Sequence, residues 1–146
     1  MFRGNAPARI DDKGRLKVPN TFRSVLESRY GRELFLTSLT GEYVRIYPMP
    51  VWVEMEQKLG AMPSTHPSKL RFLDRVSYFG QVAELDAQGR VIIPVRLREA
   101  ATMAGDVDVL GHYNVLDVWN HDRFLTKLQR DAYTDDDARA LSEFGI

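Results

Sequence analysis

The chain contains no cysteine. That removes disulfide staples, thiolate zinc sites, iron–sulfur clusters and cysteine nucleophiles together, and it fits a reducing compartment. It also lacks a long apolar run. No stretch approaches the roughly 18 residues that a membrane-spanning helix needs. The start, Met1-Phe2-Arg3-Gly4-Asn5, has no apolar segment of the secretory kind, so neither export nor membrane insertion is expected. The three histidines, His66, His112 and His121, show no metal-ligand spacing. There is no nucleophile elbow, no Walker loop and no dinucleotide fingerprint. The expectation is therefore a protein without enzymatic activity, cofactor, metal or small-molecule substrate.

Net charge is also missing, since 20 basic residues balance 20 acidic ones over 146 residues. The balance is not local, however. Residues 1–32 carry a surplus of +5, from Arg3, Arg9, Lys13, Arg15, Lys17, Arg23, Arg29 and Arg32 against Asp11, Asp12 and Glu27. Residues 131–146 carry −4. A basic head and an acidic tail point to contact with a polyanion, which the neutral total conceals.

What is present is a repeat. The segment from Ala8 to Arg23 returns 75 residues later as Ala83 to Arg98, with the Ala, Asp, Gly, Arg, Pro and final Arg identical. Each copy reads as a strand, a turn ending in glycine, a strand stopped by proline, and a helix. Gly14 and Gly89 occupy the turn position that favours a positive φ. Pro19 and Pro94 end the ladder because proline has no N–H to donate. Phe22, Val25 and Leu26 then recur at helical spacing, as do Leu97, Ala100 and Ala101. Further on, Glu33–Leu36 aligns with 108–111 in the same register, and Val44–Tyr47 with 116–119 at an offset of 72. Arg45 and Asp117 fall on the outward side of their strands. Asn120 is placed to cap a helix over 121–131. The division that follows is a first half over 1–62, a bridging helix within 63–79, a second half over 80–131, and an acidic tail over 132–146, either a frayed helix or disordered. Halves this small bury little surface alone, so the two are expected to interlock around one barrel-like core.

The pattern Asp11-Asp12-Lys13-Gly14-Arg15, Pro19, Phe22-Arg23, then Asp86-Ala87-Gln88-Gly89-Arg90, Pro94, Leu97-Arg98, then Asp117-Val118-Trp119 closely resembles the MraZ family. That family is a tandem relative of the AbrB and MazE swapped-hairpin DNA-binding domains. Asp117 stands where a glutamate is usual, and Asn120 where an aspartate is. The resemblance implies an α+β fold, a swapped-hairpin (double-split) β-barrel of two pseudo-twofold halves with helices outside. It implies a closed ring of subunits acting as a transcriptional regulator on the nucleoid in the cytoplasm. The partner would be double-stranded DNA, at short direct repeats in the promoter of the division and cell-wall gene cluster.

Within that frame the DNA-binding candidates are Arg15, Lys13, Lys17, Arg3, Arg9 and Arg90. Arg15 follows a turn glycine, where a guanidinium projects from a hairpin end and can grip phosphate or a guanine edge. For Arg90, whose box has Gln88 and Ile92 in place of Lys13 and Lys17, a structural or subunit-interface role competes with DNA contact. Asp11, Gly14, Asp86 and Gly89 form the turn motif, the aspartates capping the turn and pairing with the arginines. Two further readings remain at this level: an antitoxin-like interaction protein, and a ring scaffold without nucleic acid.

Overall fold

Each repeat begins with a hairpin too short to bury its own apolar side, and the fold is built around that deficit. A computed structural model describes residues 1–146. The elements are β1 (Asn5–Ile10), β2 (Arg15–Lys17), α1 (Asn20–Val25), β3 (Glu33–Thr37), β4 (Val44–Pro48), α2 (Met49–Gly60), α3 (Pro67–Tyr78), β5 (Gln81–Glu84), β6 (Arg90–Ile92), α4 (Val95–Ala100), β7 (Gly105–His112), β8 (Val115–Asn120), α5 (His121–Arg130) and α6 (Asp135–Ser142). Pro19 and Pro94 sit just before α1 and α4 in the same extended conformation. Asn120 caps α5, its side chain accepting from the Arg123 N–H at 3.1 Å.

One antiparallel sheet takes the order β5-β3-β4-β8-β7-β1-β2-β6, a nearly closed barrel. Taken as a ring, with β6 next to β5, the order maps onto itself when β1 is exchanged with β5, β2 with β6, β3 with β7 and β4 with β8. The hairpins are swapped. β1 pairs along its length with β7 of the other half, and β5 pairs with β3. The expected α+β swapped-hairpin barrel is therefore the observed one.

The core follows from the swap. Leu16 and Val91, Val18 and Ile93, Phe22 and Leu97, Leu36 and Val109, Ile46 and Val118 are equivalent pairs, all buried in a single cluster. Each large apolar side chain buried there contributes about 1.5–3 kcal/mol relative to exposure. Because both halves supply the cluster together, neither keeps its core without the other.

The pairing corrects one alignment. Ala6 faces Val109, while its equivalent Gln81 faces Leu36. Leu36 therefore matches Val109, an offset of 73, and not position 111. The two extra residues of the first half precede β3, where Leu26–Tyr30 forms a turn of π-helix closed by the Gly31 N–H on the Leu26 carbonyl. One more residue lies in the β3–β4 loop.

Asp117 also departs from expectation. It is buried, with 3% exposure, because Arg45 opposite it on β4 and His112 close over its carboxylate. Of the two alternatives for the tail, a frayed helix or disorder, the structure takes the helix: residues 135–142 form α6, started by a capping box between Thr134 and Asp137. This helix follows α5 as α3 follows α2. No helix is long and apolar enough to cross a membrane.

Candidate nucleic-acid interface

The two turn motifs are near copies in space. Asp11 Oδ1 accepts from the Lys13 and Arg15 N–H groups at 3.0 and 2.9 Å, and its Oδ2 accepts from Arg15 Nε at 2.7 Å. Asp86 accepts from the Gln88 and Arg90 N–H groups and from Arg90 Nε at 2.9, 2.8 and 2.9 Å. The aspartates cap the turns and aim the arginines, as their spacing suggests. Both carboxyls lie below the usual aspartate range. The largest cause is the backbone N–H of the following arginine, and the side-chain and backbone bonds add to it against partial desolvation.

A pH dependence follows. A depressed carboxyl contributes stability that is complete above the unfolded value of about 3.9 and is lost as pH falls through the lower folded value. The turn geometry is expected to hold unchanged from neutrality to about pH 4. Below it the Arg15 and Arg90 side chains should lose their orientation. NMR titration of the two arginine Nε–H signals checks this; disordering already at pH 6 would contradict it.

Each turn is also clamped by the opposite half. The Ile93 N–H donates to the Gly14 carbonyl at 2.8 Å, and the Val18 N–H to that of Gly89 at 2.9 Å. The Arg98 side chain lies over Gly14, where a Cβ would come within 2.5 Å of it, and Arg23 lies over Gly89 in the same way. Arg23 further donates to the Ala87 carbonyl and pairs with Glu27. Sequence analysis registered Arg23 and Arg98 as the matching ends of the two repeats. It missed that each packs on the other half's turn. The signal was there, because glycine and arginine recur together in both copies.

The swap places both motifs on one surface. β2 and β6 pair with Lys17 opposite Arg90, Leu16 opposite Val91, and Arg15 opposite Ile92. Leu16 and Val91 point into the core. Arg15, Lys17, Arg90 and Ile92 therefore share the outward face of a two-stranded ribbon. Ile10 of β1 faces Leu16, and continuing that register sets Arg9 beside Lys17. Arg9, Lys17 and Arg90 then form a row of cations across three strands, spaced about 4.8 Å apart by the sheet. A shallow concavity here is lined by Arg9, Asp11, Asp12, Arg15, Lys17 and Arg90, with Ile10 at its floor.

The ion pairs at this surface are Arg9 with Asp106, Arg15 with Asp11 and Arg90 with Asp86, which leaves the Lys13 and Lys17 ammonium groups free. The Arg9 pair is fully solvated, at 77% and 75% exposure, and such pairs contribute little. Its charge is available to another anion. Lys13 is exposed at the tip of the first turn. Arg3 is not part of the group. It precedes the far end of β1, about 23 Å along the strand from Ile10.

The three histidines have other work. His66 caps α3 by accepting from the Ser68 N–H, His112 holds Asp117, and His121 holds Asp108. Trp52 and Trp119 are buried, Trp119 stacked on Tyr43.

Comparison with known proteins agrees with this architecture. The family model of the MraZ protein, antitoxin-like by description, matches residues 1–75 and again 81–144, one match to each half. The chain is 47% identical over 146 residues to a protein of Acidobacterium capsulatum named Transcriptional regulator MraZ, with all of both chains covered. A protein of the same name from Koribacter versatilis is 45% identical, again over the whole of both chains. One from Herpetosiphon aurantiacus is 37% identical over the full lengths. With the tandem motif, the swapped barrel and full-length matches in agreement, this chain belongs to the MraZ family.

Proposed function

We propose that the protein is a sequence-specific DNA-binding transcriptional regulator, without enzymatic activity, that reads DNA with the outward face of the β2–β6 ribbon. The observation that carries this reading is the row Arg9, Lys17 and Arg90 beside Arg15, on an antiparallel ribbon backed by Leu16 and Val91. Two strands side by side span about 10 Å, and the B-DNA major groove is about 12 Å wide and admits such a ribbon. Arg15 would read a base edge, Arg90 and Lys17 would grip phosphate or base, and Lys13 and Arg9 would hold the backbone. Arg3, remote from the ribbon, would reach only DNA that extends past it. The names of the relatives support regulation as the outcome.

The ribbon is twofold in shape but not in charge. Lys13, Lys17 and Arg9 are matched by Gln88, Ile92 and Glu84 in the other half. A subunit of that kind distinguishes the two directions of a duplex and suits a non-palindromic box. Identical subunits set side by side then suit direct repeats, here assigned to the promoter of the division and cell-wall gene cluster, on the nucleoid in the cytoplasm. Self-association into a ring is supported by the exposed apolar side chains of α5 and the tail, Leu125, Leu128, Phe144 and Ile146. A ring would join weak single boxes into tight binding through multivalency.

The test is fluorescence anisotropy of the purified protein on its own upstream DNA, with intact and scrambled repeats, across a salt series. Binding is expected to favour intact repeats, to fail on a single repeat, and to weaken with a log–log salt slope of about −0.9 for each phosphate neutralised. Equal affinity for intact and scrambled duplexes would sink the reading. If the Arg15 surface were buried between subunits, a scaffold without nucleic acid would replace it.

A further inference from the structure

An apolar residue stands on the outward face of the cationic ribbon, at the end of β6. Ile92 is 61% exposed, although the β-branched side chains beside it, Val91 and Ile93, are fully buried. It directly faces Arg15 across the β2–β6 pair, with Cβ atoms about 5 Å apart. The equivalent position in the first half is Lys17. Nothing in the fold packs on Ile92 from outside, and its substitution of a lysine removes a phosphate-binding charge from a surface otherwise rich in them.

We propose that Ile92 is a thymine-reading residue, making apolar contact in the major groove with the C5 methyl of a thymine next to the base that Arg15 reads. The inference rests on the DNA-binding reading above. Arg15 is held by Asp11 through Nε alone, so its two terminal nitrogens stay free for the O6 and N7 acceptors of guanine. A shorter apolar side chain directly beside that guanidinium lies over a neighbouring base. Among the groups displayed in the major groove, the thymine methyl is the apolar one. Cytosine presents an amino donor at the neighbouring ring position and no methyl. Ile92 therefore selects thymine over cytosine, where a second lysine would have gripped the backbone without reading sequence. The ribbon's asymmetry gains a meaning by this: beside its arginine the first box carries Lys13 and Lys17, which grip the backbone, and the second carries Ile92, which adds discrimination.

The experiment replaces the thymines of the repeats by deoxyuridine, one position at a time and the same position in every repeat. Deoxyuridine keeps the pairing and deletes only the methyl. Wild type and Ile92→Ala are each titrated by anisotropy, with light scattering recording their oligomeric state. Burying one methyl is worth about 0.8 kcal/mol, so the wild type is expected to bind about fourfold more weakly per repeat at one thymine position. Ile92→Ala should bind the unmodified duplex more weakly and lose that sensitivity. Indifference of the wild type to every deoxyuridine, or an equal loss in Ile92→Ala, overturns the proposal. So does a change of oligomeric state in Ile92→Ala with deoxyuridine sensitivity retained, which would make Ile92 a subunit contact. Failure of the wild type to prefer unmodified repeats over scrambled DNA is a separate outcome; it removes the DNA-binding reading itself, and this inference with it.

Discussion

Arg15→Ala is expected to abolish the preference for intact repeats, at a cost of about 1–3 kcal/mol for each repeat engaged, while the protein stays folded. The side chain ends on a half-exposed surface, with 30% of its area open. Its one internal bond is to Asp11, and Asp11 keeps its two backbone donors, the Lys13 and Arg15 N–H groups, when the side chain is gone. The turn therefore survives and the loss falls on binding. Because identical subunits would share one duplex, the per-repeat loss multiplies, and a modest local cost becomes failure to bind at physiological salt. Lys13→Ala should behave differently. In the proposed reading its free ammonium at the turn tip would contact phosphate, so its loss should weaken all sequences alike and lower the salt slope by about one unit. Asp11→Asn separates aim from charge. It can still accept from the turn N–H groups but no longer holds Arg15 Nε with a full charge, so specificity should fall with Arg15 still present. Anisotropy on intact and scrambled repeats, beside a thermal melt, reads all three. An Arg15→Ala protein that discriminates as well as wild type would move the recognition surface elsewhere.

The largest stability effect is expected at the other end of the pseudo-twofold axis. Arg45 donates to both oxygens of Asp117 at 2.8 and 3.0 Å, and His112 Nδ1 lies 2.7 Å from Oδ2. Burial alone would raise the Asp117 carboxyl. The bonds from His112 and Arg45 outweigh it and hold the carboxyl below its ordinary value, while the same Asp117 bonds raise Arg45 against its own desolvation. Asp117→Ala leaves the Arg45 guanidinium, 27% exposed, without its anion. Breaking a fully buried pair costs about 3–5 kcal/mol; with this exposure about 2–4 kcal/mol is expected. At about 2–4 °C per kcal/mol for a domain of this size, Tm falls by roughly 5–15 °C. Replacing both partners by apolar residues, Arg45→Met with Asp117→Leu, should recover most of the loss, since no charge is then stranded. The acid limb runs the same way. The contribution of Asp117 is complete above about pH 3.9 and is lost as pH falls through its lower folded value. A Tm drop below about 2 °C in Asp117→Ala would show the pair to be dispensable.

The register of β3 shows where reading from sequence stops. Leu34-Phe35-Leu36 and Val107-Asp108-Val109 both alternate with period two. A slip of two residues leaves every side chain on its original face, so the apolar pattern cannot distinguish an offset of 75 from one of 73. The π-turn at 26–30 that takes up the difference leaves no periodic signature of its own. Asp117 was misplaced for another reason. Strand alternation assigns it a face, but burial depends on Arg45 arriving from the other half, 72 positions earlier.

What the sequence determined by itself was local and periodic. The doubled Asp-x-x-Gly-Arg turns, the prolines that end β2 and β6, the helices that follow, the Asn120 cap and the basic head are properties of a few neighbouring residues, set by φ restrictions, missing donors and side-chain spacing. Tertiary structure alone decided the pairings between halves: β1 against β7, β5 against β3, and β2 against β6. Neither half can bury Leu16 or Val91 alone, and the swap that buries them is a property of both halves together. It is also what sets Arg15 beside Ile92 and Lys17 beside Arg90, turning two boxes 75 residues apart into one surface.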